Sequence, residues 1–396
     1  MKEGTLLMSR KDSRKVQVLS RVKEKLITVG RAGELLGLSY RQSKRLWKRY
    51  REGGEKAVIH RGRGVASNNH LDAELKEKIL TRYREVYEGF GPTLAVEKLS
   101  EEDGLPAISR ETLRLWLLEA GLWQRHRRHR PYRKRREPKH HFGELVQLDG
   151  SPHPWFGEEH NSCCLMNMVD DATGITLAIM SEQETTEAAM GILRAWIERY
   201  GIPLALYCDL KNVYIIEREP TVEEQLEGKL PKSAFGLACE KLGIQIISAH
   251  SPQAKGRVER KHGVYQDRFV KELRLRGAKS IAESNMILSG GFIDKLNKKF
   301  ARQPLEKEDF HVRLLASQDL RDIFCFEQLR SVSQDWVVRH DNHFYQLSRD
   351  GGSLPRAGSK VTVRVWLDRS VHILHRGRRL LFKEFNPQAR DRRKVI

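Results

Sequence analysis

Two aspartates and one glutamate are spaced so that they could bind metal ions together. Asp149 follows a predicted β-strand, and Asp209 follows another predicted strand later in the chain. Glu259 lies near the start of the helix that is predicted after a fifth strand. Neighbouring strands of one sheet would bring both aspartates to one edge, and Glu259 could lean toward the same point. Carboxylate oxygens suit Mg²⁺ or Mn²⁺, and two such ions about 3.5–4 Å apart can activate an attacking oxygen and stabilise a leaving one in phosphodiester displacement.

The predicted elements around these carboxylates alternate between strands and helices. The five predicted strands are 145–148, 163–169, 175–180, 204–208 and 244–248. Thr185 is predicted to cap a helix that ends near Tyr200. This order predicts a mixed five-stranded sheet with flanking helices. Asp170 and Asp171 lie in the predicted hairpin turn, and we interpret them as local turn formers.

The sequence around Glu259 resembles a segment of a known enzyme family. Residues 251–259, SPQAKGRVE, resemble the PQxxGxxE segment around the last carboxylate of retroviral integrases and DDE transposases. Residues 146–150 (VQLDG) and 206–209 (LYCD) are similar to the segments around the two aspartates of that family. The resemblance covers about residues 144–275 closely. It extends more loosely over the flanking parts, as in bacterial insertion-sequence transposases.

This resemblance implies an α/β core of the RNase H-like type in which Asp149, Asp209 and Glu259 are the DDE triad. The triad would hold two Mg²⁺ or Mn²⁺ ions. Two features depart from the family pattern. Asp209 and Glu259 are 50 positions apart (259 − 209), more than the compact family spacing, and the charged stretch 217–232 accounts for the excess. The zinc-binding N-terminal module of retroviral integrases is replaced here by predicted helix-turn-helix units.

The first helix-turn-helix is predicted within residues 21–54. Its turn is predicted at 37–39, and Ser39 with Gln42 forms a capping box for a helix over 40–51. The second helix of such a motif enters the DNA major groove. The candidate DNA contacts on this helix are Arg41, Gln42, Lys44, Arg45 and Lys48. The alternative is an ordinary amphipathic helix with a solvated basic face.

A basic segment follows a second helical unit, which is predicted over 72–123 as another helix-turn-helix or as a small packing bundle. Residues 125–139 hold nine Lys or Arg side chains against one Glu. Because so many like charges cannot form a core, the segment is predicted to be an extended linker along DNA phosphates. Its candidate contacts are Arg127, Arg128, Arg135 and Arg136. Further candidate phosphate contacts lie beside the carboxylates: Lys211, Asn212, Lys255, Arg257 and Arg260.

The charge of the chain favours a nucleic-acid partner. Lys and Arg total 72 against 52 Asp and Glu, which gives a formal net charge of +20. Such an excess is typical of proteins that bind polyanions. Residues 1–64 carry 18 basic and 6 acidic side chains, net +12, whereas residues 141–260 carry 10 and 18, net −8. A basic arm joined to an acidic centre fits DNA held by one part and cations held by another.

Strands return near the C-terminus, where five short strands in about fifty residues predict a small β-barrel. The sequence therefore predicts seven parts. These are a helix-turn-helix domain (1–64), a second helical domain (65–124), a basic linker (125–140), the catalytic core (141–280), a helical connection (281–330), the β-barrel (331–386) and a basic tail (387–396).

The five cysteines form no CxxC pair, which argues against a zinc knuckle and for a reducing, cytoplasmic setting. The sequence contains no apolar run of the ~20 residues that a membrane span needs. Residues 1–20 lack the apolar stretch of a secretory signal. We therefore expect a bacterial cytoplasmic protein that associates with the nucleoid and has no membrane partner.

Together these features predict a DNA transposase that cleaves DNA and transfers the resulting 3′-OH ends. Its expected partners are double-stranded DNA, namely terminal inverted repeats and target DNA. Because two ends must be brought together, we expect a DNA-bound homodimer or a larger assembly. One alternative is a catalytically inactive, transposase-derived DNA-binding regulator. Another is an RNase H-type nuclease acting on RNA–DNA hybrids, which the helix-turn-helix units disfavour.

Overall fold

The computed structural model describes residues 8–59, 71–124, 136–157, 159, 162–216, 218–220, 225–226, 231–248, 256–349 and 353–385. The chain divides into two compact units, Met1–Gln124 and Arg125–Ile396. Throughout these described ranges, every helix is too short or too polar to cross a membrane.

The first unit begins with three helices around a small apolar core. They are α1 (Arg10–Lys23), α2 (Val29–Leu36) and α3 (Tyr40–Gly53). The predicted capping box is confirmed: the Ser39 hydroxyl accepts the Gln42 N–H, and the Gln42 side chain accepts the Ser39 N–H. Helix α1 begins at Arg10, eleven positions before the predicted unit (21 − 10). Its first turns contain few apolar residues, so the sequence pattern does not indicate a helix there.

Three further helices complete this unit: α4 (Ala73–Val86), α5 (Pro92–Glu101) and α6 (Arg110–Glu119). Asp103 lies between α5 and α6, and its carboxylate accepts hydrogen bonds from Arg82 Nη2 at 2.6 Å and from the Tyr87 hydroxyl at 2.7 Å. These bonds fix the loop between α5 and α6 against α4. Ser109 caps α6 and marks its predicted start.

The second unit contains the predicted five-stranded sheet. Its strands are β1 (Val146–His153), β2 (Cys163–Asp170), β3 (Thr176–Ser181), β4 (Ala205–Cys208) and β5 (Gln245–Ser248). The strand order is β3-β2-β1-β4-β5. Strands β1, β2 and β3 pair antiparallel, whereas β4 is parallel to β1 and β5 is parallel to β4. This is the arrangement of the predicted RNase H-like core.

Strand β1 differs from its prediction in one respect that concerns the site. The sequence predicts that the strand ends at residue 148, just before Asp149, but β1 continues to His153. It does so because β2 pairs with β1 along its whole length, from Val146 opposite Asp170 to His153 opposite Cys163. Asp149 therefore lies inside a strand, held on one side by a paired neighbour.

Three helices pack against this sheet: α7 (Thr186–Tyr200), α8 (Ala234–Lys241) and α9 (Gly256–Arg276). Thr185 caps α7 as predicted, since its hydroxyl accepts the Ala188 N–H at 3.2 Å. Trp196 of α7, Phe235 of α8 and Phe269 of α9 belong to one buried apolar core with the strands. The apolar faces of the helices thus hold the sheet rigid beneath the site.

The chain after α9 covers the outer edge of β3. It forms α10 (Ile281–Ile287), a π-helix (Leu288–Phe292) and α11 (Ile293–Phe300). The side-chain amide of Asn285 bonds both backbone groups of Met180, and that of Asn297 does the same at Thr176. Backbone groups on an edge strand can otherwise pair with another chain. Here two asparagine side chains satisfy them.

The C-terminal strands form the predicted small barrel from two sheets that share one core. A four-stranded sheet has the order β11-β10-β9-β6, and a three-stranded sheet has the order β12-β8-β7. After a short helix α12 (Leu320–Ile323), the strands are β6 (Cys325–Ser331), β7 (Val337–His340), β8 (His343–Leu347), β9 (Lys360–Trp366), β10 (Val371–His375), β11 (Arg378–Leu380) and β12 (Phe382–Phe385).

Two strands of this barrel were predicted incorrectly. The single strand predicted at 380–382 is split, because Leu380 pairs with β10 whereas Phe382 pairs with β8 of the other sheet. Strand β6 falls in a region predicted to be helical, since charged residues mask its alternation. Glu327 of β6 forms an ion pair at 3.1 Å with Lys241 of α8, so the barrel is attached to the core.

The close approach of α2 to α3 generates a stability prediction. A Cβ at Gly33 would lie 2.5 Å from Ser43 Oγ and 3.0 Å from the Leu38 carbonyl oxygen. We expect Gly33→Ala to destabilise the first three helices by about 1–3 kcal/mol through overpacking. The measurement is amide hydrogen exchange of α3 in the full-length protein, which should become faster.

The matched control is Gly30→Ala in the same helix, where the added methyl would meet only Thr28 Oγ1 at 3.8 Å. Replacing a helical glycine by alanine without a clash stabilises by about 0.5–1 kcal/mol. Equal exchange rates for the two variants would contradict the close packing of α2 on α3.

Candidate active site

The pairing of β1 with β4 brings Asp149 and Asp209 next to one another. Val146 pairs with Leu206 and Gln147 with Tyr207 in parallel. Continuing this register by two residues sets Asp149 opposite Asp209, the residue after β4. Both side chains are partly exposed, Asp149 to 17% and Asp209 to 25%. The sequence-based expectation that these two strands are neighbours is correct.

A third carboxylate, Glu184, joins the two aspartates. One oxygen each from Asp149, Glu184 and Asp209 lie within 4.8 Å of one another. Glu184 directly precedes Thr185, the cap of α7, and its side chain reaches over β1. A Cβ at position 150 would lie 2.5 Å from Glu184 Oε2, so the glycine at Gly150 leaves room for this carboxylate.

Lys211 and Tyr214 hold Glu184 in this position. Lys211 Nζ lies 2.6 Å from Glu184 Oε2 and 3.2 Å from Asp209 Oδ2. The Tyr214 hydroxyl donates to Glu184 Oε1 at 2.9 Å. Burial alone would lower the pKa of Lys211, but its hydrogen bond to Glu184 and the two acidic charges raise that pKa to about 12. The lysine is therefore a permanent cation at this site.

The start of α9 faces the same group of carboxylates. His262 Nδ1 lies 4.0 Å from Asp149 Oδ2. Glu259 is one turn earlier on α9, and residues three apart share a helix face. The Glu259 side chain is exposed, and it is not among the carboxylates grouped within 4.8 Å. Residues 249–255, which precede α9 and include most of the SPQAKGRVE motif, lie outside the described residues.

The chemistry of this donor set suits a divalent metal ion. Carboxylate oxygens from separate elements converge, and hard cations such as Mg²⁺ prefer oxygen ligands. Three negative charges this close repel one another, and Lys211 offsets only one of them. Asp149, Asp209 and a glutamate could therefore hold metal ions at a site where both aspartates remain partly exposed to solvent.

Comparisons with known proteins identify the family of this chain. Residues 14–64 match the family model of a helix-turn-helix domain. The chain is 34% identical over 389 residues to y4bF of Sinorhizobium fredii (strain NBRC 101917 / NGR234), which is named as a transposase, and the match covers 98% of this chain and 84% of that protein. This chain belongs to the transposase family.

A second relative supports the same family. The transposase for insertion sequence IS1202 of Streptococcus pneumoniae is 29% identical over 329 residues, which covers 74% of this chain and 69% of that protein. The protein is therefore a DNA transposase with an N-terminal helix-turn-helix, and the alternative of an inactive regulator is not favoured.

Several solved structures are also similar to the transposase. The catalytic core domain of BIV integrase is 21% identical and covers 40% of this chain and 85% of its own, with a TM-score of 0.27. The HTLV-2 integrase catalytic core domain in complex with magnesium (trimeric form) is 16% identical, covers 38% and 85%, and has a TM-score of 0.28. The fold assignment itself rests on the strand order and directions given above.

The predicted DNA contacts on α3 of the transposase differ in their surroundings. All five are exposed: Arg41, Gln42, Lys44, Arg45 and Lys48. Gln42 has a structural role as well, because its side-chain oxygen accepts the Ser39 N–H at 3.0 Å. Lys48 lies 3.9 Å from Glu52. Arg41 and Arg45 therefore stand out as the candidates for base contacts.

The other predicted DNA contacts fall into two groups. Arg127, Arg128, Arg135 and Lys255 lie outside the described residues. Arg136 and Arg257 both donate hydrogen bonds to the buried carboxylate of Asp171, and Arg260 donates to the Gly256 carbonyl oxygen at 2.7 Å. Two of these arginines are thus occupied inside the core, although each guanidinium has further donors.

Sequence reasoning missed Glu184 and His262. Glu184 follows β3, which is separated from β4 by two strands, so no spacing along the chain brings it to Asp209. His262 could have been found, because it lies three residues after Glu259 on a predicted helix and must share its face. Lys211 was identified as a phosphate contact, yet its ammonium group binds carboxylates here.

Arg45→Ala in α3 should reduce discrimination between terminal-repeat DNA and random DNA. Each good base contact contributes about 1–3 kcal/mol of discrimination, and Arg45 is exposed in the first turns of the helix. Binding constants for both DNAs, measured at one salt concentration, check this expectation.

A second variant, Gln42→Glu, tests the neighbouring candidate contact without loosening the helix, because it keeps an acceptor for the Ser39 N–H and so preserves the capping box. Gln42→Ala would remove that acceptor and loosen the helix for both DNAs. An equal loss of affinity for both DNAs on Arg45→Ala would make Arg45 a phosphate contact.

Proposed function

We propose that this transposase binds the ends of its mobile element and catalyses metal-dependent strand cleavage and strand transfer with Asp149, Asp209 and Glu259. The two aspartates would hold two Mg²⁺ or Mn²⁺ ions, and Glu259 would complete the ligand set. One observation carries the proposal. Parallel pairing of β1 with β4 aligns the two aspartates, and His262 of α9 lies 4.0 Å from Asp149 on the face that also carries Glu259.

The metal ions, when bound, would activate the attacking water or 3′-OH and stabilise the leaving oxygen. The chain itself contributes fixed positions. Strand pairing orients Asp149, and Lys211 binds Asp209 and Glu184 through one ammonium group. That ammonium also offsets carboxylate repulsion, so the site can form before metal binds.

We propose Glu259 rather than Glu184 as the third ligand because Glu259 is the last carboxylate of the segment that resembles PQxxGxxE. Glu184 instead has partners within the chain at both of its oxygens. Tyr214 binds Oε1, and Lys211 binds Oε2. Tyr214 is fully buried, and burial together with the Glu184 charge raises its pKa well above the usual value, so it remains a hydrogen-bond donor. Glu184 would therefore orient Lys211, while the exposed Glu259 is available to a metal ion and to DNA.

The remaining parts of the chain would hold DNA and bring two ends together. We propose that the helix-turn-helix in residues 1–64 recognises the terminal inverted repeats and that the basic segment 125–140 follows the DNA backbone. Synapsis of two ends calls for a DNA-bound homodimer or a larger assembly. Such a protein would act in the bacterial cytoplasm at the nucleoid.

Asp149→Asn, Asp209→Asn and Glu259→Gln should each lower the rate of DNA cleavage on the order of 10²–10³-fold. Loss of a metal ligand removes several kcal/mol of transition-state stabilisation, and 1.36 kcal/mol corresponds to tenfold in rate. Affinity for a single end should remain near normal, because the basic N-terminal parts bind DNA. Cleavage of a labelled end at saturating Mg²⁺ and a parallel binding assay provide the measurements.

Glu184→Gln is the matched control. It removes one charge but leaves an amide oxygen for Tyr214 or Lys211, so cleavage should fall by much less than in Glu259→Gln. If Glu184→Gln is inactive while Glu259→Gln cleaves normally, then Glu184 is the third ligand and the proposed triad is wrong.

Neutralising Arg127, Arg128 and Arg135 to Gln should weaken binding to specific and random DNA alike. Each lost phosphate contact should lower the slope of log K against log salt by about 0.9, so by up to roughly 2.7 for the three. A salt titration of single-end binding measures the slope. An unchanged slope and affinity would exclude the segment from the DNA interface.

A further inference from the structure

Asp171 accepts hydrogen bonds from four groups in three distant segments of the second unit. Its carboxylate, which is fully buried, accepts from Arg136 Nη2, Arg257 Nε at 2.7 Å, Gln147 Nε2 at 2.8 Å and the Lys139 backbone N–H at 2.8 Å. These partners are 24 to 86 positions away in sequence. A turn former would instead bind its near neighbours.

The adjacent Asp170 has the local role that the sequence predicts for both residues. Its carboxylate accepts the Thr173 N–H and hydroxyl, each at 2.7 Å, and the Gly143 N–H at 3.1 Å. The hairpin turn therefore depends on Asp170. Asp171 is buried at the same hairpin but bonds outward, to strand β1 and helix α9.

Gln147 extends this network to the start of α9. Its side chain is fully buried, and its Oε1 accepts the Val258 N–H at 3.1 Å. The first four N–H groups of a helix lack partners within the helix, so this bond fixes the first turn from outside. Arg257 and Val258, the two residues before Glu259, are thus both tied to Asp171, one directly and one through Gln147.

Gln147 also lies two residues before Asp149 on β1. The same group of bonds therefore sets the distance between the strand that carries Asp149 and the helix turn that carries Glu259. A buried carboxylate is stable only while its partners remain, because an uncompensated charge in the interior is strongly unfavourable. Movement of the first turn of α9 would break the bonds of Arg257 and Gln147 to this carboxylate, so the network resists that movement.

We infer that Asp171 is a positioning residue that holds Glu259 in register with Asp149. The inference rests on the proposed role of Glu259 as the third metal ligand. Asp171 touches neither metal nor DNA in this role; it acts through Arg257 and Gln147. Catalytic groups misplaced by about 1 Å can lose on the order of 10² in rate, so loosening this turn affects catalysis without removing any ligand.

The first experiment compares Asp171→Asn with Asp170→Asn in the full-length protein. Both changes neutralise a buried carboxylate in one hairpin, so a general loss of stability affects both. Only Asp171→Asn should speed amide exchange in the first turn of α9, by about tenfold or more, in the absence of metal. It should also raise the Mg²⁺ concentration for half-maximal cleavage and lower kcat about 10–100-fold, with the affinity for DNA ends unchanged.

Arg257→Gln provides a second variant with less risk of misfolding, because the Arg257 side chain is 17% exposed. Positioning predicts a shifted Mg²⁺ dependence with an unchanged salt slope of DNA binding. A phosphate contact predicts the reverse, a slope lower by about 0.9 with normal Mg²⁺ dependence. The second result would overturn the inference.

The outcomes also separate this inference from the proposed triad. Unchanged exchange at the first turn of α9 in Asp171→Asn overturns the inference, whatever the activity. If Asp171→Asn exchanges faster but keeps a normal Mg²⁺ dependence, and Glu259→Gln is inactive, the inference is overturned as well. If Asp171→Asn exchanges faster at this turn but Glu259→Gln still cleaves DNA normally, the proposed triad is wrong. The role of Asp171 in anchoring α9 then still stands.

Discussion

Two residue pairs join β1 to β4, and the site depends on them. Val146 with Leu206 and Gln147 with Tyr207 fix the strands side by side in parallel. The aspartates follow two positions later, where β1 stays paired with β2 while β4 has ended at Cys208. An antiparallel pair or a shift of one residue would separate Asp149 from Asp209 or turn one of them to the other face. The apolar core under the sheet keeps this register.

Electrostatic repulsion between the carboxylates is the second constraint, and groups within the site reduce it. Three carboxylates converge. Lys211 binds Glu184 and Asp209, while Tyr214 donates to the other oxygen of Glu184. The glycine at Gly150 makes the approach of Glu184 sterically possible. Solvent exposure of Asp149 and Asp209 lowers the penalty further, because water screens their charges. The result is an acidic site that is assembled in advance yet open to cations.

Much of the sheet and two residues of the candidate site could be predicted from the sequence. The order of strands and helices along the chain follows from apolar patterns and from caps such as Thr185. In a mixed sheet of this kind β1 lies beside β4, which makes Asp149 and Asp209 neighbours. Glu184 could not be predicted, because its place depends on how β3 and α7 pack across the sheet. Asp171 was misinterpreted for a related reason: its residue type favours turns, but its partners come from elements far away in sequence.

The barrel shows the limit of local patterns. The sequence predicts one strand over residues 380–382, and only tertiary pairing divides it between two sheets at Leu381. Charged strands such as β6 are equally hard to detect, since their exposed faces carry ion pairs with α8 and β9 in place of apolar residues.

The capping box of α3 has a consequence for how this transposase could change its DNA preference. The Gln42 side chain accepts the Ser39 N–H at the start of α3, so most substitutions of Gln42 would loosen this helix. Arg41 and Arg45 are exposed and take no part in the capping box, so their replacement leaves the start of α3 intact. With the proposed role of α3 in recognising the element ends, changes in DNA preference should therefore arise at Arg41 and Arg45. Position 42 should keep glutamine or glutamate, the two residues that complete a capping box.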